Sequence, residues 1–134
     1  MSSASQSVVQ RGYDCFSKGD LDSLLATLTE DVEWSVVGPP DAFSLFGDRT
    51  GRDGAAEYFR LVGETLDITE FSPTRFLVDG DTVVVLGHSD GIVRKTGRAI
   101  RNKWVHVFTV RGDQISRFEE FVDSTVVMEV LQAA

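Results

Sequence analysis

Two ionisable residues near the end of the chain, His106 and Glu120, are the side chains best placed to do chemistry. The pattern around them predicts two antiparallel strands joined by a turn at 111–114, with side chains alternating between the two faces. On that spacing both groups share their faces with large apolar residues, namely Trp104, Phe108, Phe118 and Val122. An imidazole and a carboxylate in apolar surroundings indicate either a small acid/base site or a pair of internal polar groups.

The chemistry available to such a site is proton transfer. Histidine titrates near neutral pH, so His106 could donate a hydrogen bond to a ligand carbonyl or act as an acid or base. Glu120 could take a proton from the carbon beside that carbonyl and return it. The two side chains could equally pair with each other and do no catalysis, and the sequence leaves both alternatives open.

Size and charge limit the classes of partner. The chain has 134 residues, 42% of them hydrophobic, and its nine Phe and two Trp suffice for the core of one domain over 1–134. Its formal charge of −8 and its pI near 4.6 oppose nucleic acid and anionic membranes, because binding either requires a basic surface. We therefore expect neither partner.

Cysteine and histidine are too few for a predicted metal site. A lone Cys15 excludes an internal disulfide, and the only histidines, His88 and His106, lack ligand spacing. Glycine-rich phosphate loops are also missing, so we expect no cofactor. Residues 1–7 have neither the basic flank nor the apolar run of a secretory signal, which favours a cytoplasmic protein.

Hydrophobic periodicity divides the chain into helices first and strands later. It predicts helices over 8–16 and 21–28, a strand over 32–37, a long loop over 38–52 that could cover a pocket, and a helix from Asp53 to Leu66 with Tyr58 near its edge. Asp53 is the expected N-cap of this third helix, and Ser124 or Thr125 that of a short final helix. The remaining predicted strands are 74–78, 82–93, 99–110 and 115–122.

This order predicts an α+β fold in which three helices pack on the concave side of a curved antiparallel sheet. The hollow between sheet and helices would bind a small molecule. On the outer face of the sheet, Val105 and Val107 add to a mixed apolar surface too large to leave bare, so we expect a homodimer through that face. His88 is expected to be exposed or at this interface.

Several short motifs resemble the NTF2-like superfamily, within it the SnoaL-like group named for polyketide cyclases, and more distantly ketosteroid isomerase. The resemblance covers essentially the whole chain and implies a cone-shaped fold that hosts enzymes and binding modules alike. The motifs are Val8-Val9-Gln10-Arg11, Gly19-Asp20-Leu21-Asp22, Glu30-Asp31-Val32-Glu33-Trp34, Gly51-Arg52-Asp53-Gly54 and the closing hairpin.

Mapped residue by residue, the resemblance argues against steroid isomerisation. The isomerase tyrosine falls at Gly12, with Tyr13 displaced by one position, and the general-base aspartate falls at Val36. The acid that stabilises the oxyanion falls at His106, and the acid/base aspartate of SnoaL-type cyclases falls at Glu120. The resemblance therefore implies cyclase-like chemistry more than isomerase chemistry.

The leading hypothesis is cofactor-independent acid/base catalysis on a small hydrophobic carbonyl compound, with His106 and Glu120 catalytic. The residues predicted to line the site are Tyr13, Trp34, Val36, Phe59, Trp104, Phe118 and Val122. One alternative is a binding module that holds a hydrophobic metabolite without turnover. Another is an interaction protein whose cone is filled by its own aromatic residues, which a cavity below the ~300 Å³ typical of ligand pockets would favour.

Overall fold

A curved six-stranded sheet with helices against its inner face forms the protein. The structure, a computed structural model, describes residues 3–132. Its helices are α1 (Ala4–Ser17), α2 (Leu21–Ala26), α3 (Gly51–Thr65) and α4 (Ser124–Gln132). Its strands are β1 (Leu28–Val37), β2 (Gly47–Thr50), β3 (Leu66–Asp79), β4 (Thr82–Val93), β5 (Ala99–Arg111) and β6 (Gln114–Val122).

The sheet has the strand order β2-β1-β6-β5-β4-β3. Every pairing is antiparallel, as predicted, except that β1 runs parallel to β6. The main core lies between the sheet and α1 and α3, and a second cluster joins α4 to the open end of the sheet. The α+β class and the sheet with helices on one side are confirmed, although four helices are present where three were expected to pack on the concave side.

The junction of the first two helices follows the sequence prediction. Gly19 adopts a φ of +68°, a conformation that favours glycine, and so ends α1. Asp20 then accepts a hydrogen bond from the Ser23 amide and caps α2. This tight junction fixes the direction in which α1 presents its inward face.

Two predicted boundaries in the first half are wrong. Leu28 fits the leucine spacing of α2, but Thr27 closes that helix through a bond from its hydroxyl to the Leu24 carbonyl, and Leu28 pairs with Ile115 as the start of β1. The predicted loop 38–52 contains β2, which pairs with β1. Cross-strand pairing overrides the local pattern in both places.

The predicted cap of α3 is also wrong. The N-cap is Thr50, at the end of β2, and its side chain makes no capping bond. Asp53 lies in the first helical turn, where its charge interacts favourably with the helix dipole. Leu66, predicted to end this helix, is instead the first residue of β3.

Two predictions for the second half of the chain are also wrong: the start of β3 and the cap of the last helix. The strand β3 begins before Pro73, which is tolerated because β3 is the sheet edge and needs no donor there. The last helix is capped by Asp123, whose carboxylate accepts from the amides of Thr125 and Val126, rather than by Ser124 or Thr125. The strands β4, β5 and β6 match their predicted bounds within a residue.

Candidate functional site

Four polar side chains form one hydrogen-bonded chain inside the cone. The Tyr13 hydroxyl lies 2.8 Å from His106 Nδ1, and His106 Nε2 lies 3.0 Å from Glu120 Oε2. The hydroxyl of Tyr58 donates to the other carboxylate oxygen, Glu120 Oε1, at 3.1 Å. The predicted imidazole and carboxylate are therefore in contact, and a tyrosine lies at each end of the pair.

One set of donors and acceptors satisfies all four groups. When His106 carries its proton on Nε2, it donates to ionised Glu120, and its Nδ1 accepts from the Tyr13 hydroxyl. Both ring nitrogens then have protein partners. Each Glu120 oxygen still has a free lone pair, so the carboxylate can take up a proton without losing either bond.

Three elements place these groups. His106 on β5 and Glu120 on β6 are directly opposite in the antiparallel register, which brings their side chains together on the inner face. Tyr13 comes from α1, and Tyr58 comes from α3 on the other side of the pair. Because the neighbouring residue Gly12 is buried against Ile115 and Leu24, α1 approaches the sheet closely enough for this contact.

Aromatic rings hold the imidazole in position. The Trp104 ring stacks on His106 with a centroid separation of 3.8 Å and an interplanar angle of 10°, and Phe118 meets the imidazole edge-on at 4.8 Å. A methyl group added at Gly87 would clash with Trp104 Cη2, so glycine at this position leaves room for the indole ring. His106 itself is only 4% exposed.

Both tyrosines are held in their neutral form. Burial and the nearby charge of Glu120 raise the pKa of Tyr13 far above its usual value. Burial, the Glu120 charge and the bond to Glu120 likewise raise the pKa of Tyr58, although Arg49, 5.7 Å from the Tyr58 ring centroid, acts in the opposite direction. Each hydroxyl therefore keeps its proton for hydrogen bonding at neutral pH.

The chain of polar groups borders a largely apolar cavity of about 140 Å³. Phe43, Leu45 and Phe46 close one side, and they belong to the segment predicted as a loop. This volume lies below the ~300 Å³ of common ligand pockets. It is close to that of an engineered cavity of about 150 Å³ that binds benzene.

The structure brings together every residue predicted for the site. His106 and Glu120 lie on the cavity wall, and so do the predicted lining residues Tyr13, Trp34, Val36, Phe59, Trp104, Phe118 and Val122. Sequence reasoning missed Tyr58, which it placed at the edge of its helix. Tyr58 follows Ala55 by three residues and precedes Val62 by four, a spacing that could have placed it on the inward face.

Two residues singled out in the sequence, His88 and Cys15, lie outside the cavity. His88 lies on the outer face, 43% exposed and 3.8 Å from Glu70, which is one of the two expected placements. Cys15 is a half-buried free thiol in α1.

Within residues 3–132, no cluster of three His, Cys, Asp or Glu side chains could hold a metal ion. No helix in this range is long and apolar enough to cross a membrane.

The fold of this chain agrees with that of the known proteins it resembles. Residues 9–118 match the family model of the SnoaL-like domain. An NTF2-like protein of unknown function from Burkholderia pseudomallei K96243 is 28% identical over 98% of this chain and 100% of its own, with a TM-score of 0.87. No curated protein matches the chain.

Two further solved structures share the architecture. TerC, co-crystallized with polyporic acid, is 26% identical over 98% of this chain and 100% of its own, with a TM-score of 0.86. A protein from Xanthomonas campestris pv. campestris, provisionally named a polyketide cyclase, is 21% identical over 96% of this chain and 97% of its own, with a TM-score of 0.77. At that identity the second likeness concerns the fold alone.

Proposed function

The chain belongs to the family of SnoaL-like domains, and from this premise we propose that its cone binds a small hydrophobic carbonyl compound and moves a proton on it without a cofactor. The observation that carries the proposal is the continuous chain Tyr13–His106–Glu120–Tyr58 beside an apolar cavity. A carboxylate fixed by two donors in such surroundings is a positioned base. The co-crystallization of TerC, a similar protein, with polyporic acid supports a small-molecule ligand for this fold.

In this proposal Glu120 takes a proton from the carbon beside the carbonyl. The electron pair of that C–H bond moves into an enolate, and the proton returns to the same or a neighbouring atom. His106 acts through Glu120 as a positioning residue, because both of its nitrogens are bonded to protein groups. Tyr58 holds the second carboxylate oxygen in place.

The test is hydrogen exchange at a carbonyl compound in heavy water, which needs no knowledge of the natural substrate. We expect the protein to speed the replacement of the ring protons of 1,4-cyclohexanedione by deuterium, followed by NMR. Glu120→Gln should lower the protein-catalysed exchange rate about 10²- to 10⁴-fold, the range that one positioned acid or base contributes.

A neighbouring glutamate supplies the matched control. Glu119 precedes Glu120 on β6 but faces outward, where it pairs with Arg117 at 3.4 Å. Glu119→Gln should leave the exchange rate unchanged. Equal rates for Glu120→Gln and the unmodified protein would contradict the proposal.

A second candidate, an interaction protein without a ligand, is favoured by the small cavity of about 140 Å³. Its working surface would be the outer sheet face, where Phe121 is 43% exposed beside Val105 and Leu86 in neighbouring strands.

We propose that a second copy of the chain covers this face. The dimer is compatible with both candidate functions. Phe121→Asp should convert the dimer to a monomer in analytical ultracentrifugation, because a charge buried in an interface is costly.

A further inference from the structure

One arginine adjoins the candidate site without lining the cavity. Arg49 on β2 is directly opposite Trp34 on β1, so the two side chains share the inner face of the sheet. The Arg49 side chain is only 13% exposed, and its Nη2 donates to the Ser44 carbonyl at 2.9 Å. Ser44 lies between Phe43 and Leu45, which close one side of the cavity. A largely buried positive charge is therefore fixed where this segment meets the sheet.

The polar contacts of this guanidinium do not account for its burial. Its Nε and Nη1 atoms are buried and have no hydrogen-bond partner among the described residues. Glu57 lies 3.8 Å from Nε, but the Glu57 side chain is 56% exposed, and such a loose, hydrated pair contributes little. Burying a charge is costly unless it is paired and hydrogen-bonded. The position of the charge therefore requires another explanation.

The guanidinium also contacts the ring of Tyr58. Arg49 Cζ lies over that ring, 5.7 Å from its centroid, within the ~6 Å at which a cation is attracted to an aromatic face. Gly54 permits this approach, because a methyl group there would lie 3.0 Å from Arg49 Cβ, and Tyr58 follows one turn later on the same face of α3. The Tyr58 hydroxyl donates to Glu120 Oε1 at 3.1 Å. One aromatic ring therefore connects the cation to the proposed base.

We propose that Arg49 is a positioning residue, whose charge over the Tyr58 ring strengthens the hydrogen bond from Tyr58 to Glu120. This inference rests on the proposed function, in which Glu120 is the base, and adds a residue that controls it. A cation beside a phenol ring favours negative charge on the phenol oxygen, so the hydroxyl becomes a stronger donor. In line with this, Arg49 opposes the rise in the pKa of Tyr58 that burial and Glu120 cause. The stronger donor fixes the carboxylate in one orientation.

The chain offers a direct spectroscopic test because it has two tyrosines. In protein labelled with ¹³C at tyrosine Cζ, each ring gives one signal, which moves towards the tyrosinate position as the hydroxyl donates more strongly. Arg49→Met keeps a long side chain and removes the charge. We expect it to move the Tyr58 signal away from the tyrosinate position and to move the Tyr13 signal much less. Arg49→Lys keeps the charge and should retain most of the original position.

The exchange of 1,4-cyclohexanedione protons measures the consequence for the base. Arg49→Met should lower the rate at saturating dione about 2- to 30-fold, the equivalent of a cation held over an aromatic ring. The dione concentration at half-saturation should change little, because Arg49 does not line the cavity. Arg49→Lys should restore most of the rate.

An exposed arginine of α3, the helix that carries Tyr58, supplies the matched control. Arg60 lies 3.0 Å from Glu64, and its side chain is 59% exposed. Arg60→Met removes the same charge from a hydrated position. It should alter neither the Tyr58 signal nor the exchange rate.

The spectra alone can overturn the inference. A Tyr58 signal that stays in place in Arg49→Met would do so. Equal displacement in Arg49→Met and Arg49→Lys would also do so, because it would indicate a purely structural role. If Arg49→Met does not fold, Arg49→Gln decides in its place, since glutamine is neutral and can still donate to the Ser44 carbonyl.

The exchange rates separate this inference from the proposed function. A full rate in Arg49→Met, together with a lost rate in Glu120→Gln, would overturn the positioning role and leave the proposed chemistry standing. If the unmodified protein shows no exchange, the proposed function fails. The Tyr58 signal then still decides whether Arg49 strengthens the bond to Glu120.

Discussion

The two histidines of this protein each lie beside a glutamate, and the two pairs are very different. His106 and Glu120 are 3.0 Å apart, with side chains only 5% and 13% exposed. His88 and Glu70 are 3.8 Å apart and 43% and 53% exposed on the outer face. The same residue types thus form a fixed, shielded pair in one place and a loose, hydrated pair in the other, and only the first can hold a base in one position.

The largest difference should appear when one partner of each pair is removed. His106→Leu leaves Glu120 in the cavity wall without its imidazole, and breaking a buried pair costs about 3–5 kcal/mol of unfolding free energy. His88→Leu should cost less than about 1 kcal/mol because that pair is exposed. Urea denaturation of the two variants measures both values, and similar losses would contradict the comparison.

A smaller effect should follow from disturbing the stack on His106. Gly87→Ala places a methyl group against Trp104 and the Ser72 carbonyl, so we expect a loss of about 1–3 kcal/mol from overpacking. The control is Gly63→Ala in α3, where the added methyl group meets no atom within 4 Å apart from its chain neighbours and the backbone of its own helix. There the better helix propensity of alanine should stabilise the protein by about 0.5–1 kcal/mol, also measured by denaturation.

High pH should destabilise the inner region through its tyrosines. The folded pKa values of Tyr13 and Tyr58 are raised above the ordinary value of 10.0, mainly by burial. The unfolded chain therefore releases these protons first, so stability is intact below pH 10 and falls above it, by at most about 1.4 kcal/mol per pH unit for each tyrosine.

The chain has two tyrosines, so tyrosinate absorbance reports on these groups alone. We expect no ionisation in the folded protein near pH 10, with absorbance rising only as it unfolds. Tyr13→Phe should flatten the alkaline loss of stability. Titration of either tyrosine at its ordinary pKa in the folded protein would show that the hydroxyl is not shielded.

The smallest expected effect concerns the second carboxylate contact. Tyr58→Phe removes the bond to Glu120 Oε1 and should lower the free energy of unfolding by about 1 kcal/mol. The exchange rate should also fall, because the carboxylate is then less well fixed. Ser35→Ala, which breaks an exposed bond to Asp48, is the matched control and should leave the exchange rate unchanged.

The inner pair could be predicted from sequence, but its network could not. Period-two alternation around Trp104 and Phe118 placed His106 and Glu120 on inner faces, because each burial pattern is local to one strand. The partners come from elsewhere: Tyr13 from α1 and Tyr58 from α3. Their contacts depend on how closely each helix approaches the sheet, which no local pattern encodes.

The errors in the fold have a similar cause. Leu28 fits a helix by spacing and joins β1 only because Ile115 pairs with it. The strand β2 has a short, polar sequence that gives no strand signal without β1 beside it. The sequence does not determine which face of the sheet His88 lies on, because its strand has apolar residues on both faces. Val83 and Val85 lie on the inner face, and Val84 and Leu86 lie on the outer face.

The nitrogen signals of the two imidazoles test the central claim most directly. In long-range ¹H–¹⁵N spectra at neutral pH we expect His106 to show one fixed tautomer, protonated on Nε2 and accepting on Nδ1, while exposed His88 shows averaged nitrogens. Glu120→Gln should disturb only the His106 signals. A His106 ring whose nitrogens average like those of His88 would contradict the account, because the base would then have no fixed partner.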